Sequence, residues 1–292
     1  MNQPEHHPSR PPRIPTGWTG ALVITGSLLI GGLLAMGCLE WIGRDSAFSP
    51  ISPNPTPDET ALGNRGRLPP ARPAWLSPLQ PSCSIQDLAQ RQHLQALVAA
   101  LRTAPKRVRV DPSNFGERFR RDAFGQVIDP TPRLVVLHET VYGLKSAIHT
   151  FRTPHPNDED QVSYHALIGE DGQVVQLLDP SKRAFGAGNS AFNGQWVVTN
   201  PKVGGSINNF ALHVSLETPL DGENNNPGHS GYSSAQYDSL AALLADWMGR
   251  YPIKLDNITT HQAVDLWGER SDPRSFNWQA LQERLQNLGL LC

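Results

Sequence analysis

The run Leu134-Val135-Val136-Leu137 is too apolar and too rich in valine to sit anywhere but inside a sheet, and it stops at His138-Glu139-Thr140. A strand that ends this way delivers an imidazole to the edge of its sheet, which is where ligands are bound and chemistry is done. A single histidine at a strand end is more often structural. Its meaning therefore depends on which partners the rest of the chain supplies.

The first third of the chain cannot supply them. Residues 1–17 are polar and proline-rich, and the 22 residues 18–39 carry no charged side chain, which is the length needed to cross a bilayer. We read 1–17 as a cytoplasmic tail and 18–40 as an uncleaved transmembrane anchor. Arg10 and Arg13 precede it, placing the tail inside and the rest of the protein outside the cytoplasmic membrane, in the periplasm. A lipoprotein box ending at Cys38 is the alternative, but Ala35 and Met36 fit it poorly. Residues 41–82 form a linker. With nine prolines between 46 and 81, this stretch is an extended tether reaching on the order of 100 Å at ~3.1 Å per residue.

Residues 83–292 carry the periodicity of one folded domain. Asp87 stands as a helix N-cap before Leu88, Leu94, Leu97, Val98 and Leu101. Residues 111–132 read as loop, with the basic residues of 106–132 on a solvated face. Residues 163–178 alternate about an Asp171-Gly172 turn as a hairpin. Residues 184–209 read as loop, with a glycine patch at 186–188. In 210–217 Leu212, Val214 and Leu216 share one face and His213, Ser215 and Glu217 the other. Ser233 and Gln236 form a capping box ahead of a helix, 258–261 is a second short run ending in histidine, and a last helix spans about 277–288. Alternating strands and helices predict a mixed α/β fold, with a central mixed sheet flanked by helices. A net charge of −2 gives no basic footprint for nucleic acid.

His138, His261 and an aspartate held before a proline, Asp272, make a set of two imidazoles and one carboxylate that suits zinc with a fourth position open to water. With ten histidines in the chain, spacing alone does not single these out. The order of motifs does. Val136-Leu137-His138-Glu139-Thr140, Ser163-Tyr164-His165-Ala166-Leu167-Ile168 with Asp171-Gly172, Ala184-Phe185-Gly186-Ala187-Gly188, Asn208-Asn209-Phe210, and His261 with Arg270-Ser271-Asp272-Pro273 follow one another as in a known family. Over about residues 130–290 the chain resembles the zinc-dependent N-acetylmuramoyl-L-alanine amidases, relatives of peptidoglycan recognition proteins and bacteriophage lysozyme-type amidases.

The resemblance implies one Zn2+ per chain on His138, His261 and Asp272, with Arg270 facing the developing oxyanion. It implies peptidoglycan or muropeptides as partner, and a monomer is expected. Two departures from the family pattern leave roles open. The acid that often serves as general base aligns with Ser215, so Tyr164 and Glu217 are the candidates, with Glu139 third because alternation points it away from the metal. Gly186 replaces a substrate-contacting histidine, leaving Asn189 and His213 as candidates for substrate binding. His165 is expected to be structural, and His149, His155 and His229 are not expected to be ligands. Asp158, Glu159 and Asp160 read as solvated. Cys83 and Cys292 bracket the domain and are expected to pair outside the cytoplasm. A module that binds muropeptides without cutting them is the alternative function.

Overall fold

Six strands form the sheet that positions the site, in the order β1-β5-β4-β9-β3-β10. These are β1 (Lys106–Arg107), β3 (Leu134–Glu139), β4 (Ala166–Ile168), β5 (Val174–Gln176), β9 (Ala211–Leu216) and β10 (Ile258–Thr260). The computed structural model describes residues 68–201 and 204–292. The expected cytoplasmic tail and membrane anchor lie outside the described residues. Among the described residues no helix is long and apolar enough to cross a membrane.

β9, β3 and β10 run parallel, and β4 runs parallel to β9, while the β4–β5 hairpin is antiparallel. The sheet is therefore mixed, as the alternation of elements predicts. β3 is buried along its whole length, which is why it reads as a continuous apolar run rather than as an alternating one. One of its faces, with Val135 and Leu137, packs on the helices α3 (Ser234–Met248) and α5 (Trp278–Asn287), and α1 (Leu88–Thr103) packs on both helices. The other face, with Leu134 and Val136, packs on Ala187, Ile207, Phe210 and Val264.

The caps read from the sequence are in place. Asp87 accepts the Gln90 N–H at the start of α1, and Ser233 and Gln236 close their box at the start of α3. Two expectations are corrected. The segments read as loop contain short strands: β2 (Phe115–Glu117) pairs with β6 (Lys182–Ala184), and β7 (Val197–Asn200) pairs with β8 (Gly204–Ser206). And Arg118 is not on a solvated face. Its guanidinium donates to the carbonyls of Pro180, Asn208 and Ala211, and burial pulls its pKa down to about 10.

The packed domain also begins before residue 83. Leu79 is buried, the Trp75 indole lies 6.0 Å from that of Trp278, and the Ser82 N–H donates to the Leu291 carbonyl. Cys83 and Cys292 are joined as a disulfide with their Cα atoms 4.8 Å apart.

Candidate metal centre

Register explains how two histidines 123 positions apart come to meet. β10 pairs with β3 through Thr260 and Leu137, so the next residue on each strand, His261 and His138, stand level at the same sheet edge. Neighbouring strands lie roughly 4.8 Å apart, and the two rings are 4.6 Å apart between centroids. His261 is also the first residue of α4 (His261–Val264), capped by the Thr260 hydroxyl, so the chain turns away just past the imidazole. It reads in the sequence as the end of a strand and in the structure as the start of a helical turn. The chain then loops out and returns so that the Gln262 N–H donates to the Asp272 carbonyl.

The result is a convergence of three donors. His138 Nδ1 is 3.2 Å from Asp272 Oδ2, and His261 Nδ1 is 3.1 Å from the same oxygen. One ligand atom from each residue lies within 4.8 Å of the others. His138 is fully buried, and burial, reinforced by the neighbouring His261, lowers its pKa to about 4. Burial works against ionisation of Asp272, but hydrogen bonds from His138 and His261 outweigh it and hold the carboxyl below its usual range. At neutral pH the set is thus a neutral imidazole and an ionised carboxylate beside a second imidazole, the protonation states that a zinc ion needs of its ligands. The residues present fit zinc.

Tyr164 stacks on the His138 ring, with centroids 4.4 Å apart. Burial and the nearby Asp272 charge push its phenol well above the usual value, so it keeps its proton. Arg270 is exposed, and its charge is felt at both His138 and Tyr164. The loop that presents it is tied by a residue that sequence reasoning missed. The buried Asp265 carboxylate accepts the backbone N–H groups of Trp267, Glu269 and Arg270. An aspartate at the head of a short loop, able to accept the backbone N–H groups that follow it, is the signal that was available for it. Asn189 lies beside this loop, its carbonyl accepting the Leu266 N–H.

Other expected residues take different places. Glu217 lies just past the end of β9, where both carboxylate oxygens are occupied by backbone N–H groups: Leu144, at the start of α2 (Leu144–Arg152), and Glu170. It caps that helix and is not free to act as a base. Glu139 points to the opposite face and forms a buried ion pair with Arg274, while also accepting from Tyr232 and His229. His213 does not reach substrate, because it is fully buried, with Nδ1 3.0 Å from His138 Nε2. His165 is buried and bonded to the His213 N–H and the Lys182 carbonyl. His149 and His155 are outside the donor set, and residues 158–160 are exposed.

The chain is similar to known proteins over the segment that holds the site. The family model described as N-acetylmuramoyl-L-alanine amidase matches residues 128–275, half of the chain. A 1,6-anhydro-N-acetylmuramyl-L-alanine amidase, AmpD, of Enterobacter cloacae is 35% identical over 126 residues, 42% of this chain and 57% of that protein. The N-acetylmuramoyl-L-alanine amidase AmiD of Escherichia coli (strain K12) is 25% identical over 174 residues, 56% of each chain. The chain thus spans little more than half the length of these curated relatives. A crystal structure of a selenomethionine AmpD derivative is similar at a TM-score of 0.46 and 26% identity, over 62% of this chain and 94% of that one. With the matched segment running from the approach to β3 to just past Asp272, the chain belongs to the N-acetylmuramoyl-L-alanine amidase family.

Proposed function

We propose that this protein is a zinc-dependent N-acetylmuramoyl-L-alanine amidase that hydrolyses the amide between the lactyl group of N-acetylmuramic acid and the L-alanine of the stem peptide. The observation that carries the reading is the meeting of His138, His261 and the Asp272 carboxylate at the sheet edge, one ligand atom of each within 4.8 Å of the others and Asp272 Oδ2 3.2 Å and 3.1 Å from the two Nδ1 atoms. Zinc held there supplies Lewis acidity, polarising a carbonyl and bringing the pKa of water from ~16 to roughly 7.

The chain's own residues account for the rest. Arg270 carries a permanent positive charge on a loop fixed by Asp265, placed to offset the oxyanion that forms as the amide carbon becomes tetrahedral. Tyr164 holds its proton at Oη across the working pH range and serves as a hydrogen-bond donor rather than as a base. Asn189, whose backbone carbonyl accepts the Leu266 N–H beside this loop, is the candidate for contact with the substrate. All three donor positions being filled favours catalysis over a module that only binds muropeptides.

The setting belongs to the same proposal: a single-pass anchor at 18–40, a linker and a catalytic domain outside the cytoplasmic membrane. The Cys83–Cys292 disulfide supports it, since such bonds persist in oxidising compartments. The test is to measure zinc content and the release of L-alanine-terminated stem peptides from sacculi and from soluble 1,6-anhydromuropeptides. The wild-type protein is expected to carry one zinc and to lose activity to a chelator. His261→Ala and Asp272→Ala are expected to lose the metal and at least about 10³-fold in kcat/KM. Retention of zinc and full activity by both variants refutes the assignment.

A further inference from the structure

We propose that His213 is a positioning residue for the metal ligand His138, and that Gly186 is glycine because the His213 ring needs its space. This rests on the zinc reading above and extends it to the layer behind the ligands.

Ligation through Nδ1 obliges the His138 proton to sit on Nε2. That nitrogen faces inward, where the atom that meets it is His213 Nδ1, 3.0 Å away. A buried imidazole that accepts this proton fixes both the tautomer and the rotation of the ligand ring, as a carboxylate or a backbone carbonyl does behind histidine ligands in general. Here another histidine fills that place. Its remaining nitrogen, Nε2, is buried with no hydrogen-bond partner among the described residues. An orphaned buried nitrogen is unfavourable, and a leucine would have filled the space without one. The ring is retained for what its Nδ1 does.

The surroundings hold His213 in this pose from several directions. Its backbone N–H donates to His165 Nδ1 and its carbonyl accepts the His165 N–H. The two rings lie 5.9 Å apart and within 8° of parallel. On another side the ring presses against Gly186, where an added Cβ would stand 2.4 Å from His213 Nδ1 and 2.5 Å from Cγ. No side chain fits at 186 while the His213 ring stays where it is. The β3–β9 pairing sets the height: His213 is level with Val136, two residues before His138 on the same face of the sheet.

The test uses the full-length protein and reads zinc affinity by competition with a chromogenic chelator, together with the visible spectrum of the cobalt-substituted protein and the thermal unfolding of the metal-free form. His213→Leu, which removes the acceptor at similar bulk, is expected to weaken zinc about 10- to 100-fold and to alter the cobalt spectrum. Gly186→Ala, which drives the ring away, is expected to do the same. His213→Asn, whose Oδ1 falls near the position of Nδ1, is expected to restore most of the affinity. A folded His213→Leu that keeps wild-type zinc affinity and spectrum overturns the proposal. Should that variant fail to fold, equal affinities in Gly186→Ala, His213→Asn and wild type overturn it instead. If the wild-type protein itself binds no zinc, the amidase reading fails, and this inference with it.

Discussion

His138 and Glu139 are consecutive residues on one strand, and the pleat sends them to opposite faces with opposite results. On the His138 side, two imidazoles and a carboxylate bring ligand atoms within 4.8 Å of one another, and among the described residues the buried Nε2 of His213 behind them has no hydrogen-bond partner. On the Glu139 side every acceptor is used: Arg274 donates through Nε and its backbone N–H, Tyr232 through its hydroxyl, and His229 Nε2 lies 3.1 Å away. Arg274 in turn spends its other nitrogens on the carbonyls of Gly222, Asn224 and Asn226. Both clusters are buried and both contain histidine and acid. What separates a binding site from a rivet is whether the polar valences are closed among themselves.

The comparison is open to attack, most severely at Glu139. Glu139→Ala strands the Arg274 guanidinium in the interior and is expected to lower stability by about 3–5 kcal/mol, read as a fall in Tm. Unchanged Tm would mean that the cluster is not a rivet at all. On the other side, protons should be the lever. In the metal-free protein the folded-state pKa values of His138, about 4, and His165, about 3, lie below the unfolded value near 6.5. Between these limits the unfolded chain takes up protons that the folded one refuses, so stability falls as pH drops and is level above pH 6.5. From pH 6.5 to 5 each histidine is expected to cost about 1.6 kcal/mol, measurable by denaturant titration. A flat profile over that range would show that these imidazoles are not held neutral.

The smallest expected effect belongs to Glu217, which by its closed hydrogen bonds sides with Glu139. Glu217→Gln should cost about 1–2 kcal/mol of stability and less than about 3-fold in kcat. A collapse of kcat with stability intact would return Glu217 to the catalytic apparatus.

Much of the framework was legible because it rests on long, repeated signals. The β3 run, the Ser233–Gln236 box and the Asp171-Gly172 turn are local and periodic, and the structure has each in place. The paired strands β2–β6 and β7–β8 were not, since pieces of three or four residues carry no period to detect. At the site, His138, His261 and Asp272 could be named through the order of motifs. Alternation placed His213 and Glu217 on one face of a strand, but it cannot tell what lies behind that face or where the strand ends. β9 stops at Leu216, so Glu217 leaves the pleat and caps a helix. His213 remains on the strand, yet it faces a ligand rather than the solvent.

The bond between Cys83 and Cys292 joins residues 209 positions apart and makes the domain a covalent ring. A ring answers a protease differently from a line. A single cut in the exposed stretch 224–227 opens the circle into one linear molecule, and the halves stay connected through the sulfurs. Two cuts, or one cut and a reductant, are needed before any fragment can leave. That is resistance to damage built into the connectivity rather than into the strength of any contact.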